Sequence, residues 1–133
     1  MLKSVAILII LISPLVFNPS SASEFVDPVE LRKTISGNTL QGKNINGMPY
    51  HIIHSKNGQA DFVVENGQFK DHGIWWIKDD ASVCYRWKKI GHGTDDCFKD
   101  ARFDEKRGLH WTRMRSNAPF TLSVLEGKRF NFK

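Results

Sequence analysis

The sequence is poor in the features that announce a chemistry. Its 133 residues hold only two cysteines, Cys84 and Cys97, and a C-x12-C spacing lacks the close paired ligands of a zinc site. There is no G-x-S-x-G elbow and no glycine-rich phosphate loop with its lysine, so neither the esterase-type nucleophile nor the nucleotide cradle is written locally. Internal repeats, low-complexity tracts and a second linker are also missing. With 41% hydrophobic and 25% charged residues, the chain is neither a disordered tail nor a collagen-like repeat, and its length excludes a multi-domain enzyme. One domain is expected, burying roughly 65% of its unfolded surface.

The one long apolar run, Val5 to Phe17, follows Lys3 and precedes the small residues Ser20-Ser21-Ala22-Ser23. It is shorter than the ~20 residues a membrane-spanning helix needs, and it contains Pro14. Residues 1–23 therefore read as a cleaved secretory signal, with a single domain over 24–133 in the periplasm or outside the cell. No cysteine near the cut offers a lipid attachment point, so no stable membrane insertion is expected after cleavage. Glu24 to Asn66 carries four bases against five acids, whereas Gly67 to Lys133 carries fourteen against nine. That uneven positive field favours an acidic partner.

In an oxidising compartment the default for two cysteines is one disulfide. Between Cys84 and Cys97 lies Ile90-Gly91-His92-Gly93-Thr94, whose two glycines permit a tight reversal, so the pair reads as a staple across a β-hairpin. Alternation puts Val83, Tyr85 and Trp87 on one side, and Phe98 falls opposite Val83 when Cys97 falls opposite Cys84. Asp27-Pro28-Val29-Glu30 is a capped helix start, Leu31 and Ile35 form a stripe, and Gly37 is a stop, predicting a short helix near 28–36. Beyond Gly37 the period becomes alternating, with turn signals every eight to twelve residues.

Strands are predicted at Asn38 to Lys43, Pro49 to His54, Ala60 to Glu65, Gln68 to Lys78, Ser82 to Lys89, Asp95 to Phe103, Leu109 to Arg115, Phe120 to Leu125 and in a further segment, Arg129 to Phe132. Asn57-Gly58 and Asn66-Gly67 read as two-residue hairpin turns. The fold class is all-β: a small antiparallel meander closing into a barrel of about eight strands, lipocalin-like in shape, with an open sandwich as the alternative.

Ile74-Trp75-Trp76-Ile77 cannot hide both tryptophans on one strand face. A three-residue turn at Asp79 to Ala81 puts Trp75 inside and Trp76 outside beside the bridge; a two-residue turn reverses them. Farther on, Trp111, Arg113 and Arg115 share a face, where they can either stack on and grip an anionic or planar ligand or serve as barrel wall with arginines paired to aspartates. Trp76, Arg86, Trp111, Arg113 and Arg115 are the candidate ligand contacts.

Ile35-x-Gly37-Asn38-Thr39-Leu40-x-Gly42, then Gly73-x-Trp75, then Cys84-Tyr85-x-Trp87 and Cys97, resembles the small secreted bacterial proteins grouped as domain of unknown function 995. The resemblance covers roughly Val29 to Phe98. It implies an exported bacterial protein and supplies no active site. Gly73-x-Trp75 is also similar to the G-x-W of lipocalins and avidins, but it falls mid-chain rather than on the first barrel strand, which argues against homology.

Catalytic candidates are thin. His51 and His54, three apart on a strand, face opposite ways and cannot share a metal. Asp79-Asp80 and Asp95-Asp96 read as turn acids, and His92, between two glycines, is the most mobile histidine and can lie at a barrel mouth. The expectation is a non-catalytic exported module, without cofactor, metal or nucleic acid, that binds an anionic ligand or an acidic envelope or protein partner. An enzyme acting on an envelope polymer, with His92 or Asp96 as acid or base, and a purely structural envelope role are the alternatives.

Overall fold

The structure is a computed structural model that describes residues 25–65 and 67–129. The signal segment at 1–23 lies outside these residues, as does the last predicted strand apart from Arg129. The order of elements is α1 (Pro28–Ile35), β1 (Thr39–Lys43), β2 (Pro49–His54), β3 (Gln59–Val64), β4 (Lys70–Ile77) and β5 (Val83–Trp87). A short 3₁₀ turn at Ile90–Gly93 then leads to β6 (Asp95–Phe103), β7 (Gly108–Arg113) and β8 (Pro119–Leu125). Each strand pairs antiparallel with the next, and β8 pairs with β1 through Thr39↔Leu125 and Leu40↔Val124. The sheet is thus a closed eight-stranded barrel with no free edge, which removes a template for edge-to-edge association.

The helix forms where the capping residues require it. Asp27 Oδ1 accepts the Glu30 N–H at 2.9 Å, Pro28 occupies the first turn, and Gly37 at φ 78° ends the element. Leu31 and Ile35 are completely buried in the same apolar cluster as Leu40, Val83 and Leu109. The helix therefore plugs one end of the barrel, and Val26 N–H donates to Ala101 O to fasten the approach to it.

Four hairpins use one turn design. Asn44, Ser55, Lys78 and Asp104 each donate their N–H to the residue four positions on and accept from the residue three positions on. Three residues thus lie between each closing pair, and the third is left-handed: Gly47, Gly58, Ala81 and Arg107. The turn at Asn57-Gly58 is accordingly three residues long, Lys56 to Gly58, rather than the predicted two. An Asn-Gly pair serves this turn equally well, because only its glycine must be left-handed, and the inward set of β2 and β3 decides the length. The β3–β4 turn is also longer than predicted, since Val64 N–H donates to Phe69 O.

The same design at Asp79 to Ala81 settles the tryptophans. Trp75 pairs with Tyr85 and Trp76 with Cys84. Trp75 is therefore inside and Trp76 outside. Cys84 and Cys97 are directly opposite and joined by a disulfide, with Val83 opposite Phe98. Closing this loop stabilises by about 3 kcal/mol on the chain-entropy view.

Candidate functional site

Inward residues of the strands fill the barrel at the plugged end and leave a cavity toward the other end. Toward the plug lie Trp75, Val83, Leu109 and Leu122, all buried. His54 sits among them, its Nε2 2.6 Å from Tyr85 Oη and its Nδ1 3.3 Å from Asn38 O. Burial holds this imidazole neutral, with a pKa pushed down to about 3 although the carbonyls of Asn38 and Ile52 act in the opposite direction. Nδ1 therefore donates to Asn38, and Nε2 accepts from the Tyr85 hydroxyl. The same burial raises the Tyr85 phenol well above its ordinary value.

Above Tyr85 the barrel opens into a cavity of about 780 Å³. Its walls are aromatic because inward positions of five strands, β2, β3, β5, β6 and β8, are. Tyr50 stacks on Phe62 at 5.1 Å, Tyr85 on Trp87 at 5.3 Å and Phe98 on Trp111 at 4.6 Å, while Phe120 meets Phe98 edge-on. Tyr50 reaches its place because Gly42 is opposite it: a Cβ there would lie 2.6 Å from the ring. Gly73 is needed for the same kind of reason, since a Cβ would meet the Arg86 carbonyl at 2.2 Å and Trp87 at 3.0 Å. This close approach gives a physical basis to the glycine of the Gly73-x-Trp75 motif.

Three charged residues line the same cavity: Lys43 at the rim, and Asp96 and Arg113 as a pair in its side. Asp96, almost fully buried, accepts both Nε and Nη2 of Arg113, at 2.9 and 2.8 Å. This two-pronged bond raises the Arg113 pKa, and the pair is internally neutral. Arg113 Nη1 has no hydrogen bond among the described residues, so two donors remain for a ligand. Tyr50 Oη is likewise uncommitted there, and burial raises its pKa against the pull of Arg113.

The rim is held from below by Asp71. This buried carboxylate accepts the N–H groups of His72, Lys89 and Ile90, the last at 2.8 Å, and so fixes the β5–β6 connection at the mouth. Burial pushes its pKa up, but the N–H groups of Ile90, Lys89 and His72, with the Lys89 charge, outweigh that and leave it below the ordinary value.

The five sequence candidates are thus dispersed. Arg113 lines the cavity. Arg115 lies past the end of β7 on the rim, bonded to Thr94 Oγ1 and Asp95 O. Trp111 is inward but buried behind Phe98, a wall residue with no face toward the opening. Trp76 and Arg86 are outside the barrel, 5.4 Å apart as a cation–π pair, with Arg86 also held by Asp95. The sequence reading placed Phe98 opposite Val83 without naming it as a ligand contact, and it missed the aromatic walls Tyr50, Phe62 and Phe120, although each occupies an inward position of its strand.

Other candidates resolve as structure. Asp95 faces outward and Asp96 inward, so they do not converge, and His92 is exposed on the rim. Among the described residues no group of His, Cys, Asp and Glu is placed to hold a metal. One chain of contacts was not legible at all: Thr121 Oγ1 is 3.1 Å from His110 Nδ1, and His110 Nε2 is 2.8 Å from Asp104 Oδ2. His110 and Thr121 are direct cross-strand partners on the outer face, and Asp104 is the residue that closes the β6–β7 turn through Lys106 and Gly108. Their contacts are those of opposed surface residues. Scans against protein-family models, curated proteins and solved structures give no match to this chain.

Proposed function

We propose that this protein is a non-catalytic binding module, exported to the periplasm or beyond, that takes one small ligand into its open barrel mouth. The ligand has a flat or otherwise apolar body and an anionic, hydrogen-bond-accepting end. The observation that carries this reading is the aromatic-walled cavity of about 780 Å³ with a single Asp–Arg pair in its side. Small-molecule sites have this size, this apolar lining and a few placed polar groups. The ligand body replaces water against Phe62, Trp87 and Phe120, which supplies the affinity. Its anionic end meets Arg113 Nη1 and the Tyr50 hydroxyl, which supplies the orientation. Because Asp96 already neutralises Arg113, charge adds selectivity more than strength.

The disulfide supports export into an oxidising space. The resemblance to the secreted proteins grouped as domain of unknown function 995 belongs to the same reading.

The test uses 8-anilinonaphthalene-1-sulfonate, a flat anion, and its uncharged counterpart N-phenyl-1-naphthylamine, followed by quenching of tryptophan emission. Both should saturate at one equivalent. The double substitution Asp96→Asn with Arg113→Gln keeps a neutral hydrogen-bonded pair in place; it should weaken the anion at least fivefold and leave the uncharged probe within twofold. No saturable binding of either probe would overturn the reading, and equal losses for both would remove Arg113 from it.

A further inference from the structure

The open end of the barrel differs from the plugged end in surface chemistry as well as in shape. Four connections bound the opening, and six large apolar residues are exposed among the described residues. Three of the six stand on three different connections at the mouth: Ile45 fully exposed on the β1–β2 turn, Phe69 at 37% just before β4, and Met114 at 47% just after β7. The others are scattered, with Phe25 and Val29 near the helix and Ile74 on the barrel side. Around the same opening stand five exposed cations, Lys43, Lys70, Lys88, Lys89 and Arg115. Among the described residues the exposed acids there are Glu65 and Asp95, with Asp95 already held by Arg86, while the buried Asp71 carboxylate acts on Lys89 from below. At the plugged end the signs interleave instead, Glu30 with Arg32 and Glu105 with Lys106. Four of these five cations, Lys70, Lys88, Lys89 and Arg115, come from the C-terminal half in which the sequence carries its positive excess.

An apolar tip inside a cationic collar suits an anionic bilayer surface. The apolar side chains enter the interface while the lysines reach the headgroups, each contributing about 1 kcal/mol near such a surface. Lys89 shows the two parts together, its Nζ lying 5.8 Å from the Phe69 ring centre. No described helix is long and apolar enough to span a membrane, and docking of this kind needs none.

We propose that the barrel mouth docks peripherally on anionic phospholipid membranes, through Ile45, Phe69 and Met114 with the lysine collar around them. The inference does not rest on the ligand reading, although Lys43 and Ile45 also line the cavity and docking would turn the cavity toward the bilayer.

Cosedimentation of the mature protein with phosphatidylcholine vesicles, with and without 30% phosphatidylglycerol, is the test. Binding should require the anionic lipid and fall at least tenfold between low and 0.5 M salt. Lys70→Glu with Lys88→Glu should weaken it at least tenfold, and Met114→Ser about threefold; none of these three residues lines the cavity, so binding of the soluble naphthyl probes should stay within twofold. The proposal is overturned by equal binding to neutral vesicles, by no binding at all, or by binding that Met114→Ser leaves unchanged and that heparin matches. Failure of the soluble probes with vesicle binding intact would count against the ligand reading alone.

Discussion

His54 shows how much a single side chain can tie together. It lies on β2 between the helix plug and the cavity floor, and its ring meets Trp75 edge-on at 5.1 Å while accepting from Tyr85. The unfolded chain protonates a histidine near 6.5, whereas this one resists protonation down to about 3. Between those values the unfolded state binds more protons than the folded state, so stability rises with pH across the window. The contribution is complete above pH 6.5 and is lost as pH falls toward 3, at a limiting slope of roughly 1.4 kcal/mol per pH unit. Burial shifts His51 in the same direction. Urea unfolding between pH 7.5 and 4.5 should therefore show a steep loss in the wild type. In His54→Gln, which retains an acceptor for Tyr85, the slope should be reduced by about half or more. Equal slopes in the two proteins would show that His54 does not stay neutral in the fold.

At the level of elements, the repeated three-residue turn sets the register of the barrel. Two of its left-handed positions hold glycine; the other two hold Ala81 at φ 67° and Arg107 at φ 61°. A side chain in that region costs on the order of 1–2 kcal/mol, part of which glycine gives back through its freer unfolded state. Ala81→Gly should therefore stabilise the protein by about 0.5–1 kcal/mol, read as a higher urea midpoint with an unchanged m-value. A lower midpoint would mean that Ala81, packed against the core, contributes more than its backbone costs.

The same turns explain what was legible in the sequence. Strand β6 has the predicted bounds, because Asp95 follows a glycine-rich reversal and the alternation of Asp96, Phe98 and Ala101 is broken only at its bulge. Asn57-Gly58 marked its turn but not the turn's length, since the same dipeptide fits two designs. The disulfide partners followed from there being two cysteines, and the inside-outside assignment of Trp75 from alternation once a turn length was assumed. The cavity was not legible. It depends on which inward rings stop short of the axis, and that follows from Gly42 admitting Tyr50 and from Asp71 tying down the rim across nearly twenty residues. Arg113 was found by its neighbours on the strand, whereas its partner Asp96 was read as a turn acid, or as the acid or base of an enzyme, and not as the partner of Arg113.

As a whole, the molecule is a barrel closed and packed at one end by a helix and open at the other end through an aromatic cup. The helix plug is what makes the cup one-ended. Leu31 and Ile35 occupy space that would otherwise let water reach His54, and the dry plugged end gives Tyr85 a fixed floor to hold. Function is assigned to the end that packing leaves empty, and stability to the end that it fills.

The most direct measurement is a nuclear magnetic resonance titration of the mature protein with 8-anilinonaphthalene-1-sulfonate, following the four tryptophan indole N–H signals and the arginine Nε–H signals. The account predicts saturable shifts of Trp87 and of the Arg113 Nε–H, while Trp75, whose indole donates to Ser55 O at the plugged end, stays where it is. Shifts confined to Trp76 and Arg86 on the outer wall, or movement of Trp75 with Trp87 unmoved, would contradict it.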